Sequence, residues 1–385
     1  MSESVEQFLA CGRLQGGFAR IRCPACKSEH LLAFSCRARG VCSSCQAKRA
    51  ALFAEKLTSE ILPPVPYRHW TFTIPKAIRG LFERERRLLG LLSRTAYDSI
   101  RKSFQTLFGR KDVRPGCVIS IQSFGSFGAN FHPHLHVLVS DGVFTRAGEF
   151  LELPSVDTAA VGEVFRRLLL RRLHAQERLS ERFMHNLLGW VHTGFSVFAG
   201  DIIPTEDRQG LERVARYITR PALAIDSIRR REDGRLEIQT PPDPRTGATV
   251  RIFDPLEWIH AVTAHIPDRG QHQVRYYGAL SNRARVTIAG LDGQSCRPSG
   301  MQQKGDEEKI DSSRARRASW ARLLRKIFEV DPLLCTCGAQ MKIVSFITEP
   351  RVVDRILRHL ASEACKARDP FEPRAPPAAA SPSPT

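Results

Sequence analysis

The chain has 385 residues, enough for two or three domains, with 42% apolar and 25% charged side chains, an ordinary globular composition. Its charge is not ordinary: 58 Lys and Arg against 40 Asp and Glu give a net charge of +18, which suits a polyanionic partner such as nucleic acid. The acidic, polar N-terminus does not read as a secretory signal and no apolar run is long enough to cross a bilayer, so a cytoplasmic protein is expected, with its 11 cysteines reduced.

Six cysteines, Cys11, Cys23, Cys26, Cys36, Cys42 and Cys45, crowd the first segment, so residues 1–62 are predicted to be a separate zinc-binding domain. Cys23-x-x-Cys26 and Cys42-x-x-Cys45 have the spacing of one tetrahedral Zn²⁺ site, whose binding free energy replaces the missing core. Cys11 and Cys36 could each substitute for a pair member. Cys335-Thr336-Cys337 lacks a second pair nearby and is read as buried or fortuitous thiols.

From residue 63 to 290 strands and helices mix without regular alternation, which predicts an α+β core with a largely antiparallel sheet. Strands are expected at His69–Ile74, Val118–Gln122, 132–139 and Phe195–Phe198, with helices over 77–108, 160–188 and Asp207–Thr219, the last stopped by Pro221. A hairpin-like pattern covers 234–254. Residues 291–312 read as a linker, 313–366 as a basic helical region carrying Trp320, Leu323, Leu324, Ile327 and Phe328, and 367–385 as a disordered tail.

The segment His132-Pro133-His134-Leu135-His136 carries the chemistry. On a strand its three histidines share one face, adjacent members roughly 6.8 Å apart, while Leu135, Val137 and Val139 take the other. Two imidazoles at that spacing can converge on one ion. Two chemistries remain open at this point: a histidine-triad nucleotide hydrolase, and a single-strand nicking enzyme that pairs a His-hydrophobic-His metal site with a nucleophilic tyrosine. Only the second needs a well-placed tyrosine, a zinc module and strong positive charge. Of five tyrosines, Tyr217 stands near a helix end with Arg213, Arg216 and Arg220 around it. Such cations stabilise negative charge on the phenol oxygen and can hold a phosphate. Tyr276 and Tyr277, on a strand-like stretch, are its rivals.

Taken in order, the cysteine pairs, Gln122-Ser123-Phe124-Gly125, the histidine segment, Ala215-Arg216-Tyr217-Ile218-Thr219-Arg220-Pro221 and Gln271–Gly278 resemble the HUH-class rolling-circle transposases of the IS-ninety-one type. The resemblance covers about residues 5–350. It implies a zinc-binding N-terminal domain, a ferredoxin-like nuclease core, His134 and His136 as the metal pair on a central strand, and Tyr217 as nucleophile. Arg213 stands where two-tyrosine members carry their other tyrosine, which implies the one-tyrosine branch. The expected activity is nicking and rejoining of single-stranded DNA at element ends through a 5′-phosphotyrosine, assisted by Mg²⁺ or Mn²⁺. Gln122 is a candidate third ligand, and no membrane partner is expected. The alternative is a zinc-dependent DNA-binding protein without cleavage activity.

Overall fold

The computed structural model describes residues 2–36, 39–125, 130–220, 227–243, 246–284 and 333–362. They form two compact units: described residues 2–8 with 39–284, and 9–36 with 333–362. The division thus falls near residue 37, not at 62, and the smaller unit draws on both ends of the chain. The expected linker and tail, Pro221 and the Trp320–Phe328 stripe lie outside the described residues.

The chain starts with α1 (Ser2–Leu9) and two strands of the smaller unit, β1 (Phe18–Arg22) and β2 (Glu29–Ala33). In the larger unit α2 (Ser43–Lys56) leads to β3 (Tyr67–Thr73), α3 (Lys76–Arg84) and α4 (Leu88–Leu107). β4 (Gly116–Phe124) and β5 (Phe131–Ser140) follow, then the short pair β6 (Gly142–Phe144) and β7 (Phe150–Glu152). α5 (Thr158–Ala175), α6 (Glu181–Gly189), β8 (Ser196–Ile203) and α7 (Arg208–Ile218) come next. A small sheet of β9 (Ile228–Arg230), β10 (Leu236–Gln239) and β11 (Val250–Phe253), then α8 (Pro255–Thr263) and β12 (Val274–Gly278), end the described part of this unit.

The main sheet has the order β12-β4-β5-β3-β8, every neighbour antiparallel. Taken as a βαββαβ chain, β3, β4, β5 and β8 are strands one to four in the order 2-3-1-4, the ferredoxin-like arrangement, with β12 added at the β4 edge. The period-two pattern divides the sheet cleanly. Trp70, Phe72, Ile119, Ile121, Leu135, Val137 and Val139 join Leu88, Leu92, Ile100 and Phe104 of α4 and Phe165, Leu169 and Leu173 of α5 in the main core. Tyr67, Val118 and Leu138 face the other way, onto Ala215 and Ile218 of α7, Ala54 of α2 and Leu57. That second face holds the histidines.

Local signals fix α7 where it is needed. The Asp207 carboxylate caps it by accepting from Gly210 N–H at 2.8 Å. With no Cβ at position 210 the Asp207 carboxylate can sit this close; a side chain there would make it shift.

In the smaller unit β1 lies between β2 and β13 (Lys342–Ile347), both antiparallel, and α9 (Pro350–Ser362) follows. Part of the expected C-terminal helical region is therefore strand. Alternating Ile343, Ser345 and Ile347 against exposed Val344 and Phe346 is a period-two signal that the basic composition masked. Among the described residues no helix is long and apolar enough to cross a membrane.

Candidate active site and metal centre

His134 and His136 lie on β5, the middle strand of the sheet. Cross-strand partners share a face, and His134 stands opposite Gln122 on β4 and Thr73 on β3, His136 opposite Ser120 and Thr71. The two imidazoles meet edge to face at 4.9 Å between centroids. His134 Nδ1 donates to the His132 carbonyl at 2.8 Å, which leaves its Nε2 with a free lone pair. His136 Nδ1 lies 2.9 Å from His69 Nε2, and His136 Nε2 is buried without a hydrogen-bond partner. Gln122 is 4% exposed; its Nε2 donates to the Ile218 carbonyl at 3.0 Å, while its Oε1 is also buried without a partner. Leaving such acceptors bare is costly, so a ligand that takes lone pairs fits them.

Burial sets the charge state. Desolvation, then His134, His69 and Arg220, push His136 down to about 2. Desolvation alone lowers His69 to about 4, and desolvation followed by Arg79 and His134 brings His132 to about 4. His134 is lowered too, first by burial. Neutral imidazoles are the metal-binding form. The donor set, two imidazole nitrogens and one amide oxygen on adjacent strands, thus fits a divalent ion. His132 contributes its backbone carbonyl to the orientation of His134.

Tyr217, in the last turn of α7, is carried over His136 and His69. Its ring is edge-on to His136 at 5.2 Å and to His69 at 5.7 Å, and it is 41% exposed, so the hydroxyl has a route to solvent. The Arg220 guanidinium lies 4.4 Å from the Tyr217 ring centroid and 5.9 Å from that of Phe124. The other two arginines behave differently: Arg216 is paired with Glu212 at 2.7 Å, and Arg213 is exposed. The rival Tyr277 is a packing residue, stacked on Tyr97 at 5.0 Å and bonded to Ser93 at 2.7 Å. Tyr276 is half-buried in the Val118 cluster.

His69 is the residue that sequence reasoning passed over. The sequence marks it only as the start of a strand, yet the alternation His69-x-Thr71-x-Thr73 sets it on the histidine face. For His136 to offer Nε2 to an ion, its Nδ1–H must donate to His69 Nε2, which fixes both tautomers.

The cysteines depart from the spacing argument. Cys23, Cys26, Cys335 and Cys337 bring their sulfurs within 4.8 Å of one another. Cys23 Sγ is 3.6 Å from Cys337 Sγ and Cys26 Sγ 3.4 Å from Cys335 Sγ, near the about 3.8 Å edge of a tetrahedral site with Zn–S of about 2.3 Å. The cause is the pairing of β1 with β13, where Arg22 faces Lys342, so the C-terminal Cys-x-Cys returns beside Cys23. Each turn closes through a left-handed residue, Lys27 at φ 65° and Gly338 at φ 84°. The Cys337 backbone N–H, helped by the Ser28 hydroxyl, holds the Cys335 thiol down at about 5, towards the thiolate that binds metal. Cys42 and Cys45 are not partners of Cys23 and Cys26; Cys42 stands at the N-cap position of α2 without a side-chain hydrogen bond to the helix, and Cys45 lies in its first turn. The Cys335–Cys337 pair is therefore a candidate ligand pair and not a fortuitous one.

In this chain a histidine pair on the middle strand and a tyrosine share one face of a ferredoxin-like sheet. Residues 116–287 match a family described as "Putative transposase", and residues 1–74 one described as "Transposase zinc-binding domain", of the IS91 type. The chain is 25% identical over 361 residues to the "Transposase for insertion sequence element IS801" of Pseudomonas savastanoi pv. phaseolicola, covering 90% of this chain and 84% of that protein. It is 28% identical over 297 residues to the "Putative transposase y4qJ" of Sinorhizobium fredii (strain NBRC 101917 / NGR234), covering 68% of this chain and 70% of that one. No solved structure matches. The chain belongs to the IS91-type insertion-sequence transposases.

Proposed function

We propose that this transposase nicks and rejoins single-stranded DNA at the ends of its element, with Tyr217 as nucleophile and His134, His136 and Gln122 as ligands of Mg²⁺ or Mn²⁺. The observation that carries the reading is the contact of Tyr217 with His136, whose Nε2 is buried and unpartnered. The phenol oxygen attacks a backbone phosphorus, and its proton leaves to water on the exposed side of the ring. The P–O3′ bond breaks, the departing oxygen takes a proton from water as a 3′-OH, and the 5′-phosphate stays on Tyr217. Attack by a 3′-OH on that linkage reverses the step and frees the tyrosine. Bound between His134, His136 and Gln122, the ion supplies charge neutralisation at the scissile phosphate. Arg220, stacked on the tyrosine ring, holds the phosphate from the other side.

In the same reading Cys23, Cys26, Cys335 and Cys337 hold a structural Zn²⁺ in the smaller unit. The +18 charge serves the DNA backbone. The decisive test is Tyr217→Phe, with Mn²⁺ and a labelled single strand carrying an element end. Wild type is expected to give a covalent adduct mapped by mass spectrometry to Tyr217, and the variant none. Specific binding without cleavage by the wild type would return the chain to a DNA-binding role.

A further inference from the structure

Beside the histidine pair, on the same face of the sheet, lies a cavity of about 290 Å³. Its walls are α2, the β4 end from Ser120 to Phe124, the turn into β12 at His272 and Gln273, and the end of α7 from Ile218 to Arg220. Gln122 forms part of the wall, so the cavity adjoins the site where Tyr217 would cut. None of its lining residues is acidic, whereas Arg39, Arg49 and Arg220 are all present with His265 and His272. Three guanidinium groups and no carboxylate select an anion.

The rest of the lining excludes a bare anion as the sole occupant. Phe53 and Phe124 give apolar and aromatic surface, and Gln46 and Gln273 give carboxamides that can meet a base edge. Gln46 is already oriented, donating from Nε2 to the Thr219 carbonyl at 3.1 Å, and Ser123 Oγ holds His265 Nδ1 at 3.1 Å. The volume is at the lower end of ligand pockets, room for one nucleotide and too small for a duplex.

We infer that this cavity receives a single unstacked nucleotide of the DNA strand, the one next to the phosphate cut by Tyr217. Its phosphate meets Arg49 and Arg39, and its base lies against Phe124 with the carboxamides at its edge. As a part of the cleavage site this rests on the nicking reading, but the occupancy of the cavity is tested without it. Holding one base out of the stack fixes the strand's register, so the pocket determines which phosphodiester faces the tyrosine.

The probe is 8-azido-deoxyadenosine 5′-monophosphate, photolysed with the zinc-loaded full chain and mapped by mass spectrometry. Label is expected on the cavity wall, at Phe124 or at His272–Gln273, and unlabelled dAMP should suppress it at far lower concentration than deoxyadenosine or inorganic phosphate does. Arg49→Gln should weaken the labelling about tenfold, the effect of one charge-assisted hydrogen bond. The exposed His272→Ala, which disturbs no core, should weaken it less, and Tyr217→Phe should leave it unchanged. Label outside the cavity, indifference to Arg49→Gln, or equal suppression by phosphate alone would each overturn the inference. Because labelling requires no cleavage, a failed adduct with intact labelling refutes only the nicking reading, and the reverse result refutes only the pocket.

Discussion

The histidine site and the cysteine site are both candidate metal-ligand clusters, yet they are assembled in opposite ways. His134, His136, Gln122 and His69 come from three adjacent strands of one sheet, and Tyr217 from the helix laid across them. A short segment with period two carries most of that site. The four thiols of the smaller unit come from two turns separated by more than 300 residues, brought together by a single strand pairing. Where ligands share a strand the sequence displays the site. Where they meet through long-range pairing, spacing misleads, because another Cys-x-x-Cys of acceptable spacing stood closer in the chain.

The sharpest way to break the comparison is to remove a thiol. Cys335→Ser takes a ligand from the smaller unit, whose core is small, so the ion supplies much of its folding free energy, on the order of 10 kcal/mol for a structural zinc. The expected outcome is loss of the zinc held by Cys23, Cys26, Cys335 and Cys337, seen as a drop in zinc content, and rapid proteolysis within residues 9–36 and 333–362. Retention of Cys23–Cys26 zinc in this variant would reinstate the ligand set suggested by spacing. His136→Ala tests the other cluster: loss of Mn²⁺ binding is expected with zinc content unchanged, since the two sites share no ligand.

How much could be read beforehand follows from these distances along the chain. The alternation of Leu135, Val137 and Val139 against the histidines, the helix over Asp207–Thr219 and the place of Tyr217 near its end are local, and each is found where the sequence puts it. The 2-3-1-4 strand order is not local; the element pattern predicts an α+β core with a largely antiparallel sheet, as found, but only the family resemblance implies the ferredoxin-like arrangement. His69 was hidden for a different reason. One histidine in a strand carries no signal until its register against β5 is known, and that register sets it diagonal to His136.

His69 therefore gives a sharper, smaller test. In the proposed reading it is a positioning residue, acting through His136 and not on the ion. His69→Gln should weaken Mn²⁺ binding by about 10- to 100-fold, the usual cost of losing a partner behind a metal-binding imidazole. The adduct should still form at saturating Mn²⁺, because Tyr217 and both ligands remain. Titration calorimetry and adduct yield against Mn²⁺ separate the two; unchanged affinity would make His69 a packing residue.

The smallest effect lies in the pH dependence of stability, and its sign follows from burial. His69 and His132 are pushed from 6.5 to about 4 and His136 to about 2, so the folded chain stays unprotonated at these positions where the unfolded chain takes up protons. The state that binds more protons is favoured by acid. Stability of the larger unit is thus complete above 6.5 and declines as the pH falls from 6.5 towards 4. His69→Gln removes one such group and should flatten the fall in Tm across that window by about one proton. Added Mn²⁺, which binds only neutral imidazoles, should raise Tm, and because burial keeps His136 neutral well below pH 6.5 that effect should persist as the pH falls below 6.5. The cysteine unit offers a control in the same melt, since none of these histidines belongs to it. An equal flattening there would mean that the titration reports global charge repulsion and not the buried histidine cluster.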